Sequence, residues 1–334
     1  MINKLYENIK LYIKENYKSI LVLVILVLVF FVHLPFYISS PGGLINTSEK
    51  IKVSGDFKLK GSLNMAYVSG MKGSIPVLLY AFLNPNWDIE KESKVVAEGE
   101  TIKDEEYRNK LLLTEANDIA LLVAYDNSNI DYEVKNSRVY VTYVDKKAKT
   151  NLKIGDQIIK IDDKKINKKQ DLYDYIENKK INDKVSFVVV RSGKEKTCKA
   201  KLIDVFNEPK VGIVITENVD IKSDYHVDIK FKERESGSSG GLMMALTIYS
   251  YLNKVDLTHG KKIVGTGTID RDGNVGEISG IKYKLIGAVK KKGDVFLVPQ
   301  GKNYVEARNL KNKYNYDIDI VPIENFKEAL DYLK

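Results

Sequence analysis

From Ser19 to Val32 the chain reads SILVLVILVLVFFV, and the apolar run continues past His33 through Leu34, Pro35 and Phe36 to Ile38. No other stretch restricts folding as much. It has no polar face to present to water, and ~20 such residues are what a helix needs to cross a bilayer core. Lys4, Lys10, Lys14 and Lys18 precede it, whereas the first lysine after it is Lys50. That asymmetry predicts a cytoplasmic tail over 1–18, a transmembrane helix over 19–38, and an extracytoplasmic remainder. A cleaved signal peptide is the rival, since YISSPGG offers small residues near a cut, but the run is long for a signal. SSPGG at 39–43 reads as a breaker at the membrane exit.

Composition limits the rest of the chain. At 334 residues, 44% hydrophobic and 29% charged, it can form two or three folded units. The net charge of +8 comes from lysines scattered among acids. It describes a solvated surface, and no basic, aromatic-laced stripe points to nucleic acid. The single cysteine, Cys198, excludes a disulfide framework and a multi-cysteine metal site. Three histidines, His33, His226 and His259, restrict imidazole chemistry. No cofactor is expected, and no Walker A pattern occurs.

Residues 39–133 read as an α/β segment, with two strands around a Gly-rich turn over 50–69 and a long helix at about 104–123. Residues 75–92 carry no clear period. Residues 134–205 look self-contained. RVYVTYV is a strand, NLKIGDQIIKIDDKKI places apolar residues around two turns, a helix spans about 168–177, and a hairpin turns at Ser192-Gly193. The string Leu152-Lys153-Ile154-Gly155-Asp156 with Ile158 and Ile161 resembles a PDZ domain, which captures extended peptide at a sheet edge beside a helix. Lys135-Asn136-Ser137, before RVYV, lacks the glycine pattern that would hold a terminal carboxylate. Residues 206–334 alternate strands and helices as an α/β unit, with a strand pair in KKIVGTGTIDRDGNVG turning at Asp272-Gly273.

The chemistry concentrates in ERESGSSGGLMMAL, residues 233–246. Gly237-x-Ser239-x-Gly241 fits a nucleophile elbow, and glycines beside Ser239 let backbone N–H groups approach a reacting carbonyl. Ser239 also fits the N-cap of the apolar helix that comes next. A Ser-His arrangement would have to use His259, cramped 20 residues downstream. The alternative base is a lysine made neutral by burial. On a helical wheel of 281–292, Ile281, Leu285, Ala288 and Val289 share one face. Lys282 falls inside that arc, in the first turn where the helix dipole disfavours an ammonium, and Lys284 falls outside it.

This region resembles the proteolytic domain of Lon-type Ser-Lys proteases. Gly237-Ser238-Ser239-Gly240-Gly241 lines up with the family's Gly-Pro-Ser-Ala-Gly. Thr266-Gly267-Thr268-Ile269 and Val275-Gly276-Glu277-Ile278-Ser279-Gly280-Ile281-Lys282 line up with its second block. The resemblance implies a nucleophile at Ser239, a base at Lys282, and support from Thr266, Ser238 and Gly240. It departs where Ser238 replaces proline and Gly240 replaces alanine. The implied fold is an α/β (α+β) Lon-type proteolytic domain with a small β-rich PDZ-like domain and one transmembrane helix. The implied function is a bacterial, membrane-anchored, ATP-independent serine endopeptidase. Its substrates would be peptides or exposed polypeptide segments, docked by the PDZ-like module. Proteins of this family often assemble, so a homo-oligomer is among the expected partners. An inactive PDZ scaffold and a Ser-His hydrolase are the alternatives.

Overall fold

A computed structural model describes residues 2–55 and 57–334, with side chains from Lys4 onward. Residue 1 of the expected tail and residue 56, in the expected 50–69 turn, lie outside the described residues. The chain divides into two compact units, Met1–Pro41 with Val68–Val95, and Gly42–Tyr67 with Val96–Lys334.

Helix α1 (Ile2–Phe31) gives way to strand β1 (His33–Asn46). Pro35 explains the stop, because it lacks an N–H and pushes Leu34 out of the helical region. The expected span over 19–38 is thereby cut in two. Its helical apolar part runs only from Ile20 to Phe31, twelve residues. At ~1.5 Å per residue that is ~18 Å, against ~30 Å of hydrocarbon. Lys14, Glu15 and Lys18 stand immediately before it. No helix of the described residues is long and apolar enough to cross a membrane. The expected single-pass anchor, with its cytoplasmic N-terminus and extracytoplasmic catalytic domain, is corrected on that finding. SSPGG does not break the chain either, since it lies inside β1.

Strands β2 (Ile51–Val53) and β3 (Ser62–Ser74) replace the strand pair expected over 50–69, but they lie in different sheets. The unassigned stretch resolves into helix α2 (Ile75–Phe82), with proline in its first turn, and strand β4 (Asp88–Lys91). β4 pairs antiparallel with β1, from Phe36 opposite Lys91 to Ser39 opposite Asp88. In the larger unit, helix α3 (Ile102–Asn127) opens on a reciprocal capping box between Thr101 and Asp104. Its Ala116, Ala120, Val123 and Ala124 are buried in the main core.

The small β-rich domain contains β5 (Tyr132–Val144), β6 (Gln157–Ile161), helix α4 (Lys169–Glu177), β7 (Lys184–Arg191), β8 (Lys194–Lys201) and β9 (Ile213–Ser223). The sheet runs β9-β5-β6-β7-β8, with the short strand Lys149–Thr150 at the far edge. Val139 and Val141, and Phe187 and Val189, alternate into the core, Ile158 and Ile161 join them across an irregularity in β6, and Leu172 of α4 packs against them. The Lys-Ile-Gly-Asp turn is fixed by the fully buried Asp156. It accepts from Lys153 N at 2.8 Å and from Arg191 Nε and Nη2 at 2.6 Å each. Lys135, Asn136 and Ser137 are not a loop: they run inside β5, with Asn136 opposite Asp220 and Ser137 opposite Val219 of β9.

The remainder contains β10 (Val227–Ile229), which pairs with β2, then α5 (Gly241–Asn253), β11 (Lys262–Gly265), α6 (Ile281–Lys290), β12 (Val295–Pro299), α7 (Lys302–Tyr314), β13 (Asp319–Ile323) and α8 (Phe326–Leu333). β3, β11, β12 and β13 form a parallel sheet, Leu63 opposite Ile263, Ile263 opposite Val295, and Val295 opposite Asp319. Every residue of β12 is buried, as a parallel strand covered on both faces requires. The first strand of the expected KKIVGTGTIDRDGNVG pair therefore belongs to the main sheet. The hairpin is the shorter pair Thr268–Ile269 with Val275–Gly276.

Candidate active site

Ser239 sits between the end of a coil and the start of α5. Gly237, at φ +95°, makes the turn that a side chain would strain, and its N–H donates to the Asn109 carbonyl of α3 at 2.9 Å. Helix α5 then begins at Gly241, and its first ten residues are buried. The cap residue is Gly240, with no side-chain cap bond, so the Ser239 hydroxyl is not spent on capping the helix. A Cβ at Gly240 would lie 2.6 Å from Met65 Sδ, so sulfur fills the place where a methyl would stand.

The loop is tied to the end of β11. Gly267 N donates to the Ser239 carbonyl at 2.8 Å, and Leu242 N donates to the Gly267 carbonyl at 3.2 Å. Thr266, fully buried, donates its hydroxyl to the same Ser239 carbonyl at 3.1 Å. Its oxygen accepts from Lys284 Nζ at 3.0 Å. The chain Lys284–Thr266–Ser239 thus links helix α6 to the serine loop.

Lys284 is 3% exposed, and burial pushes its amine down from 10.5 to about 7. Among the described residues no acidic partner compensates it, and desolvation is the cause of the shift. An amine at that value is neutral often enough near neutral pH to take a proton. Lys282 is half-buried, with Nζ 5.4 Å from the Tyr283 ring centre. The order in which the wheel ranks the two lysines is therefore reversed, and the reason is Gly287. A Cβ at Gly287 would stand 3.2 Å from Gly43 N, so β1 backbone packs against that side of α6. This contact turns the buried face toward Lys284 and Gly287, away from Lys282 and Val289. A hydrophobicity wheel gives glycine no weight, and the Gly43 contact comes from far away in the sequence, so the wheel does not rank the two lysines by burial.

Of the expected site residues, the structure brings Ser239, Gly240 and Thr266 together. Ser238 accepts from Gly241 N at 3.1 Å. His259 is occupied by the Leu333 carbonyl at 3.0 Å, and His226 is exposed. Among the described residues no cluster could hold a metal ion. In the DRDGNVGE turn, Asp270 accepts from Asp272 N, Asn274 N and Asn274 Nδ2, which is a hairpin stabilised by its own carboxylate.

Two family models match the chain. One, the PDZ domain, covers residues 126–202. The other, the Lon protease (S16) C-terminal proteolytic domain, covers residues 210–333. Among characterised proteins, the chain is similar to a Lon protease of Campylobacter jejuni, 30% identical over 146 residues, 43% of this chain and 17% of that protein. It is also similar to a Lon protease of Xanthomonas oryzae pv. oryzae, 31% identical over 111 residues, 33% and 13% of the two chains. The match thus spans less than a fifth of either relative's length. Among solved structures, the PDZ domain of an SdrC-like protein from Listeria monocytogenes is 30% identical, covering 25% of this chain and 92% of that one at a TM-score of 0.23. The corresponding domain from Listeria innocua is 32% identical, covering 23% and 92% at 0.22.

The chain therefore joins a PDZ domain to a Lon-type proteolytic domain in a mixed α/β fold. In that organisation it resembles a PDZ-containing, Lon-like protease.

Proposed function

We propose that the protein is a serine endopeptidase in which Ser239 is the nucleophile and Lys284 the general base. The observation that carries this reading is the buried, proton-poor Lys284 bonded to Thr266, which in turn holds the Ser239 carbonyl. Lys284 takes the Ser239 proton as Oγ attacks a peptide carbonyl. The resulting ammonium returns that proton to the leaving amine, and water hydrolyses the acyl-enzyme. The amide N–H groups of Ser239 and Gly240, at the positive end of α5, are the oxyanion donors in this reading. Thr266 orients the amine, while Gly240 and Met65 set the loop.

No ATP-driven step is part of this mechanism, so substrates are short peptides or locally exposed segments of polypeptide. A groove of about 950 Å³ between α4 and β9 is their docking site. Its backbone end is Lys210-Val211-Gly212-Ile213, with Gly212 at φ +80°, rather than the 135–137 stretch. Cleavage of casein or a fluorogenic peptide tests the assignment. Activity is expected to vanish in Ser239→Ala and Lys284→Ala and to persist in Lys282→Ala. No cleavage by the wild type would leave an inactive scaffold, and equal cleavage by the wild type and Ser239→Ala would remove Ser239 as the nucleophile.

A further inference from the structure

The outer edge of β9 offers backbone groups that can be counted. The Gly212 carbonyl, just before the strand, accepts from Asp145 N at 2.8 Å, and the Val214 carbonyl accepts from Thr142 Oγ1 at 3.2 Å. These groups point toward β5. Successive residues of a strand point their backbone groups to opposite sides, so Ile213, Ile215, Glu217 and Val219 point outward. At Ile213 and Ile215 the edge faces the groove lined by Leu172, Tyr173 and Ile176 of α4. At the next two positions the edge is already occupied. Glu217 N donates to Glu115 Oε1 at 3.3 Å, and Val219 N donates to Asp118 Oδ2 at 2.9 Å, both acceptors lying on α3.

We infer that α3 is a stop on the PDZ edge, so that the groove admits an extended segment of about three residues, paired at Ile213 and Ile215, and no longer one. This rests on the groove being the docking site. Alternation with period two means that two outward positions serve a ligand stretch of about three residues. The groove is pinched at the same point from its other wall. Lys169 N, at the start of α4, donates to Glu217 Oε2 at 3.0 Å, and Ser137 Oγ donates to Glu217 Oε1. Glu217 therefore stitches α4 and β5 to β9 where a fourth ligand residue would have to pass.

The stop is not easily withdrawn. Ala116, Ala120, Val123 and Ala124 of α3 share a core with Leu242 and Leu246 of α5. The Asn109 carbonyl of α3 also holds Gly237, two residues before Ser239. Sliding α3 to admit a longer ligand would disturb the serine loop. The groove walls are apolar at Leu172, Ile176, Ile213 and Ile215, so the fitting ligand is a short apolar tail rather than a long strand.

The test selects random heptapeptides with free C-termini on the full chain and on a Glu115→Ala/Asp118→Ala variant. Binding of selected sequences trimmed to between three and seven residues is then measured by fluorescence anisotropy. On the wild type, residue preference is expected at no more than three adjacent positions, with less than about a twofold gain beyond three residues. The variant is expected to gain one or two further preferred positions and about tenfold in affinity for the longer peptides. Wild-type preference over five or more positions, or tenfold tighter wild-type binding of the longer peptides, overturns the stop. The wild-type series decides this even if the variant fails to fold. Peptides that bind neither protein overturn the groove as a docking site, and the stop with it.

Discussion

Replacing Lys284 by methionine leaves an unbranched side chain one atom shorter and removes its charge. Because the amine falls from 10.5 to about 7 on folding, holding it protonated in the core is costly. At ~1.4 kcal/mol per decade, that drop amounts to about 5 kcal/mol at pH 6, where the lysine is charged in the folded and unfolded states alike. The sign comes from proton counting. Between about 7 and 10.5 the unfolded chain binds more protons than the folded one, so stability rises with pH across that window. By pH 9 the cost has fallen to about 2 kcal/mol. Methionine escapes the cost at both pH values but gives up the bond to Thr266, worth about 1–2 kcal/mol. Thr266 still donates to the Ser239 carbonyl and is not orphaned. The variant is expected to be about 3 kcal/mol more stable than wild type at pH 6, about equal at pH 9, and inactive at both. Urea denaturation followed by circular dichroism at the two pH values measures this. A variant destabilised at pH 6, with the same pH dependence as wild type, would refute the claim that burial holds Lys284 proton-poor.

Thr266→Val removes the acceptor that aims Lys284 and the donor to Ser239, and is expected to lower kcat about 10- to 100-fold with little change in KM. Steady-state kinetics separates that from a binding defect. Gly240→Ala places a methyl 2.6 Å from Met65 Sδ and is expected to lose activity by pushing the serine loop outward. A Gly240→Ala/Met65→Ala double variant is expected to be more active than Gly240→Ala alone, and a double-mutant cycle reads the coupling. Asp118 is driven up to about 6 by burial, so its charge destabilises the fold above that pH and not below about 4. Asp118→Asn, which can still accept from Val219 N, is expected to stabilise the protein by about 1–2 kcal/mol at pH 8 and by nothing at pH 3.5 in urea titrations.

Much of the fold was legible in local pattern. The Lys-Ile-Gly-Asp string, the strand alternation around it and the apolar GLMMAL run each demand one kind of burial, and each receives it. The N-terminal run misleads when apolarity is counted without the proline that ends the helix: Pro35 turns the last residues of the run into β1. The two lysines of α6 illustrate a different limit. Lys282 and Lys284 flank the same apolar stripe, and only the approach of Gly43 to Gly287, between residues far apart in sequence, decides which one is buried. The partners of β9 were hidden for the same reason, since Glu115 and Asp118 meet it from about 100 positions away. The Met65 sulfur beneath Gly240 likewise comes from β3, which no local pattern connects to the serine loop.

The most direct measurement is the pH dependence of Ser239 phosphonylation by a serine-directed fluorophosphonate, which loses fluoride, in the wild type, Lys282→Ala and Lys284→Ala. The wild type and Lys282→Ala should show a rate that rises through a midpoint near 7, tracking loss of the Lys284 proton. Lys284→Ala should be slow, without that limb. A limb that survives Lys284→Ala and disappears in Lys282→Ala would contradict the assignment.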